Sequence, residues 1–159
     1  MGRAESKNNI GCLIIYLISL SLTGCAYFLG VYRITDSVYF WDVGDQNERI
    51  IIYNSVDKPW KIISGIPIVP NDSQYQENAK NGIIEYVDDF LYEQDWLFVR
   101  TIVQTNSNEL ERYWMVYLPS HIEKSVEEIK DKTYGPFMSS ECDSVFSLLS
   151  VPNSFRAFL

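Results

Sequence analysis

The sequence predicts an α+β fold: a mostly antiparallel sheet of about five to seven strands, with one or two C-terminal helices packed on it. Three observations point there. Short runs rich in β-branched and aromatic residues recur from Val31 onward, separated by turn-forming clusters. Trp96–Gln104 and Arg112–Leu118 flank Thr105-Asn106-Ser107-Asn108 as the arms of a hairpin. Beyond Leu118 the apolar period lengthens from two residues to that of a helix.

In chain order, Val31–Val43 is dense in strand-forming residues and broken near Asp36-Ser37, so it reads as two strands. Gly44-Asp45-Gln46-Asn47 is a turn cluster, Arg49–Tyr53 a short apolar strand, and Asn54–Pro59 another turn. Trp60–Ile66 is a further strand candidate. Pro67 to Asn81 holds Pro67, Pro70 and Asn71-Asp72-Ser73 with few apolar residues, and reads as a long loop. Strand character resumes at Ile83–Val87. In the hairpin, Leu97, Val99, Thr101 and Val103 share one apolar or β-branched face, which should point to the core. Trp114, Val116 and Leu118 can oppose it, while Trp96, Phe98, Arg100 and Ile102 take the other face. Ser120 and Glu123 have capping-box spacing ahead of Ile122, Val126 and Ile129. Ser140 and Asp143 make a similar start signal. Behind it, Cys142, Val145, Phe146 and Leu149 form one apolar stripe, ended by Pro152.

The segment before this domain carries the clearest functional signal. Arg3 and Lys7 precede an apolar run, Ile10–Leu22, which ends in small residues, the three-part pattern of a secretory signal. Leu22-Thr23-Gly24-Cys25 resembles the lipobox of bacterial lipoproteins. The resemblance implies a signal-peptide helix in residues 1–24 and cleavage between Gly24 and Cys25. It also implies lipid attachment to the Cys25 sulfur, with acyl chains such as palmitate, and a single extracytoplasmic β-rich domain over 25–159. The competing reading is a retained membrane-spanning helix. No charged residue lies between Lys7 and Arg33, an interval long enough for the roughly 20 apolar residues of a span. The basic flank fits both readings, and the brevity of Ile10–Leu22 favours the signal. A buried N-terminal helix in a soluble protein is the third and weakest alternative.

Charge and cysteine content narrow the rest. Removal of residues 1–24, with Arg3, Lys7 and Glu5, takes the 13 basic and 21 acidic residues to 11 and 20, a net charge of −9. So acidic a domain repels phosphate backbones, which argues against a nucleic-acid partner. It also repels anionic lipid, so the anchor rather than a basic patch would hold it to the membrane. Cys12 falls in the signal and Cys25 would be lipidated, so Cys142 has no partner for an intramolecular disulfide. Its place in the apolar stripe favours packing over reactivity.

No catalytic or metal constellation stands out, and no cofactor is implied. His121 is the only histidine and sits at the expected helix cap, a poor start for a Ser-His-Asp or Cys-His arrangement. One histidine and one packed cysteine are too few for zinc. Asp88, Asp89, Glu93 and Asp95 could form a carboxylate pair of a hydrolase or hold Ca²⁺, but a solvated acidic turn explains them as well. Asp42-Val43-Gly44-Asp45-Gln46-Asn47 is a second oxygen-rich turn without EF-hand spacing. Among the abundant aromatics, core packing accounts for Trp41, Trp96 and Trp114, and Trp60 is the best candidate for an exposed ring.

Tyr113-Trp114-Met115-Val116, Tyr134-Gly135-Pro136-Phe137 and the strand Trp96–Thr101 resemble the C-terminal half of a family of small, uncharacterised bacterial lipoproteins. The resemblance spans residues 83–152 and departs at Ser120–Lys132, which reads as an extra helix. It implies a β-sheet domain with helix support and carries no active site. The expected function is therefore a non-catalytic, lipid-anchored envelope protein that binds a protein partner. The alternatives are an inhibitor or immunity protein against a cationic secreted enzyme such as a lysozyme, and a carboxylate-dependent hydrolase.

Overall fold

The computed structural model describes residues 30–44, 48–55, 62, 64–119 and 125–159. The lipobox, Trp60, His121 and the expected Ser120–Glu123 capping box lie outside them. Within them the fold is α+β, but the strands number eight in two four-stranded antiparallel sheets rather than five to seven in one. The first sheet is a meander of β1 (Val31–Arg33), β2 (Val38–Trp41), β3 (Ile50–Tyr53) and β4 (Ile66–Val69). The second is a meander of β5 (Ile84–Glu93), β6 (Trp96–Gln104), β7 (Glu109–Tyr117) and β8 (Thr133–Phe137). Helix α1 (Asp72–Lys80) links the sheets, α2 (Val126–Asp131) joins β7 to β8, and α3 (Ser139–Leu149) follows β8. A 3-10 turn, Asn153–Ala157, comes last.

Alternation within the strands explains why two sheets form. Val38, Phe40 and Ile51 from the first sheet meet Val87, Leu97, Val99, Trp114 and Val116 from the second in one buried core. Val99 and Trp114 are direct cross-strand partners there. The other face of the second sheet is apolar too, and it packs Phe98 and Met115 against Cys142 and Phe146 of α3 and Phe155 beyond it. The expected stripe of α3 thus meets the face that carries Trp96 and Phe98. Phe98 stacks on Tyr113 and Phe155, with ring centroids 5.7 and 5.4 Å away. The sheets are also stitched through the backbone, the Val87 N–H donating to the Arg49 carbonyl at 2.7 Å.

Several segments differ from the sequence expectation. Pro67–Asn81 is not a loop: its start completes β4 and its remainder is α1. Asn71, which reads as a turn residue, is the helix N-cap, its side chain accepting from the Gln74 N–H at 3.0 Å. The strand expected at Trp60–Ile66 instead starts at Ile66. Helix α2 begins at Val126 under a capping box of Ser125 and Glu128. Helix α3 starts one residue before Ser140, where the Glu141 carboxylate accepts from the Met138 N–H at 2.7 Å. Tyr134-Gly135-Pro136-Phe137 is an edge strand in its own right. Gly135 sits at φ +131°, and a Cβ there would stand 2.8 Å from the Tyr113 carbonyl oxygen, so only glycine fits.

Candidate functional site

Two places concentrate polar chemistry. The first is internal. Val87, Thr101 and Arg112 stand side by side across β5, β6 and β7, with Glu85 two residues before Val87 on the same face. This face is apolar through Leu97 and Val99 and turns polar at Thr101, where α1 lies against β5. Glu85 is 3% exposed. Its Oε1 accepts from Thr101 Oγ1 at 2.9 Å. Its Oε2 accepts from Asn78 at 3.0 Å, Gln74 at 3.2 Å and Arg112 at 3.4 Å. Trp114 Nε1–H donates to Thr101 Oγ1 at 3.3 Å. Four donors, three of them on Oε2, hold the carboxylate in place, and its burial keeps it from a substrate's proton. The network therefore clamps α1 onto the sheet and is poorly suited to acid–base chemistry.

The second place is a groove of about 600 Å³ on the outer face of the first sheet. Trp41, Ile50 and Ile52 form its floor, Ser64, Gly65, Ile66 and Pro67 one side, and Asp72, Tyr75 and Gln76 of α1 the other. Glu48 and Lys130 complete the lining. Tyr39, Ile50, Ile52 and Ile62 form a small core beneath it, with Trp41 and Tyr75 partly buried against it. Strand register gives the groove a direction. Trp41 pairs with Ile50, and β4 ends beside Ile51 at Val69, three residues before Asp72. Glu48, Trp41 and Asp72 therefore gather at one end, with Ser64 to Pro67 toward the other.

The carboxylates singled out from the sequence do not form a turn cluster. Asp88, Asp89 and Glu93 lie along β5, and only Asp95 is in the turn that follows. Asp88 sits at the β-bulge between Val87 and Asp89. Five residues of strand separate it from Glu93, roughly 17 Å at 3.3 Å each, whereas glycosidase pairs stand about 5–10 Å apart. Asp88 is held by Arg100, whose Nη2 is 2.7 Å away. Burial works against the Arg100 charge, but the hydrogen bond and charge of Asp88, with Glu111 and Asp89, outweigh it and raise its pKa. None of the four carboxylates lines the groove. No cluster of three potential metal ligands occurs among the described residues.

Cys142 is fully buried, and its thiol is pushed up to about 11 by burial, with Glu141 and Asp143 adding to the effect. Trp114 is fully buried while Trp41 and Trp96 are partly so, and Trp41 lines the groove; Trp60 lies outside the described residues. Neither Glu85 nor the groove residues Glu48, Asp72, Tyr75, Gln76 and Lys130 stood out as a site in the sequence. A lone glutamate inside the apolar run Ile83–Val87, matched by Thr101 on the core face of β6, was the available sign of the buried network. No comparable sign marked the groove, because its lining is assembled from two strands, the segment 64–67 and two helices.

Among the described residues no helix is long and apolar enough to cross a membrane. Comparison with family models, with curated proteins and with solved structures finds no match to this chain.

Proposed function

We propose that this chain is an extracytoplasmic lipoprotein of a bacterial envelope, anchored through acyl chains on Cys25, whose domain binds a protein partner without catalysing a reaction. The observation that carries the reading is Leu22-Thr23-Gly24-Cys25 at the end of a short apolar run behind a basic start. Two or three acyl chains, at about 0.8 kcal/mol per buried CH₂, would make a stable anchor. The binding role is supported by the open groove with Trp41 and Ile66 in its lining. It is supported further by the engagement of Glu85, the most buried of the described carboxylates, in structural hydrogen bonds. The mature charge of −9 favours a partner with a basic surface, which also keeps inhibition of a cationic secreted enzyme as a second reading.

Metabolic labelling with a palmitate analogue tests the anchor. The wild-type chain should take up label and shift to the cleaved size, and Cys25→Ala should do neither. An unlabelled, uncleaved wild-type protein in the membrane fraction would point to the retained span and remove the lipoprotein reading.

A further inference from the structure

The groove carries an argument about what the partner presents. Ion pairs engage all five described arginines, Arg33, Arg49, Arg100, Arg112 and Arg156, with Asp36, Asp42, Asp88, Glu85 and Asp143. Glu48 and Asp72 belong to none of these pairs, and both lie at the Trp41 end of the groove. That end therefore offers two carboxylates beside an indole, with Tyr75 one turn along α1 from Asp72. A guanidinium or ammonium over an aromatic face, with carboxylates to receive its N–H groups, satisfies all of these groups at once. Toward the other end Ile66, 39% exposed, and Pro67 present apolar surface.

Deepening the partner-binding reading, on which it rests, we infer that the groove receives an extended peptide segment of the partner. The segment's arginine or lysine sits between Glu48 and Asp72 against Trp41, and an apolar side chain covers Ile66. It docks by its side chains and not as a fifth strand. β4 is the edge of its sheet, and Pro67 in its middle has no N–H to offer. Lys130, the one cation among the described lining residues, is left to the carbonyl oxygens of the segment in this arrangement.

The test is calorimetric titration of the full-length protein, in detergent micelles, with an acetylated and amidated octapeptide alternating arginine and valine. Its glutamate-for-arginine counterpart and a neutral N-acetylglucosamine oligomer serve as competing probes. The arginine peptide should bind at one site and the other two should not. Glu48→Gln with Asp72→Asn, and separately Trp41→Leu, should each weaken it about tenfold. Glu93→Gln with Glu109→Gln changes the net charge equally, at positions outside the groove lining, and should leave affinity unchanged. Melting curves show which variants keep the fold, and the two amide replacements retain side-chain size at partly or fully exposed positions. No binding, equal binding of the two peptides, preference for the sugar, or equal losses in both double variants would overturn the inference. Palmitate labelling reads the anchor and this titration reads the groove, so either can fail alone.

Discussion

Removing the Glu85 carboxylate would leave four donors, from Gln74, Asn78, Thr101 and Arg112, without their acceptor, one of them a guanidinium. Glu85→Ala should cost about 3–5 kcal/mol in urea unfolding, as expected when one partner of a buried pair is lost. Glu85→Gln keeps the shape but loses the charge, and should cost about 1.5–3 kcal/mol. A loss below 1 kcal/mol in both would mean the network contributes little to the fold. This residue shows how far single positions can be read from sequence. The interruption of an apolar strand by a carboxylate was visible. Its four partners were not, because they come from a helix and two other strands, and strand register sets their distances. The same limit hid Glu48 and Asp72, each of which reads alone as an ordinary exposed acid.

At the scale of elements, the hairpin and the α3 stripe were legible because their periods are clean, and the two arms of the hairpin are adjacent in sequence. Helix α1 was not. Its sequence, DSQYQENAK, is nearly all polar, and it docks through Asn78, Gln74 and Tyr75 rather than an apolar stripe, so periodicity gave no signal. The turn residues that suggested a loop are its cap, since asparagine serves both roles through the same side-chain acceptor. The packing of α3 against β6 and β7 has a consequence for pH. Burial and the Glu111 hydrogen bond push Tyr113 from 10.0 up to about 12, and burial pushes Cys142 from 9.0 up to about 11. Both groups hold their protons longer folded than unfolded. The stability they confer is complete below pH 9 and is lost as pH rises from there to 12, each adding up to about 1.4 kcal/mol per pH unit to the fall. Urea midpoints should therefore drop across this range, and Cys142 should resist iodoacetamide until the chain unfolds. A flat stability profile, or rapid native alkylation at pH 8, would contradict the packing described.

For the whole molecule, the sandwich of two meanders was only half legible. Alternation showed that strands exist and which face of β6 points to the core, but not that its other face, with Trp96 and Phe98, is covered as well. The number of sheets depends on which strand faces which, and contacts between distant segments decide that. The start of β1 also limits the proposed anchor. Residues 26–30 separate Cys25 from Val31, and fully extended they reach about 20 Å. Limited proteolysis of the membrane-bound protein should therefore release no folded domain, and a soluble fragment starting between residues 26 and 30 would contradict so short a tether. The same strand orients what it carries. Val31 pairs with Trp41, so the chain enters the first sheet at the end where Glu48 and Asp72 stand. If Cys25 is anchored in the bilayer as proposed, that end would face the headgroups, and Tyr53 and Ile66 the aqueous compartment. A protein diffusing in from solution meets the apolar end first. A chain rising out of the same membrane would meet the carboxylates first, so under the proposed anchor the two ends of the groove would face different sources of partner.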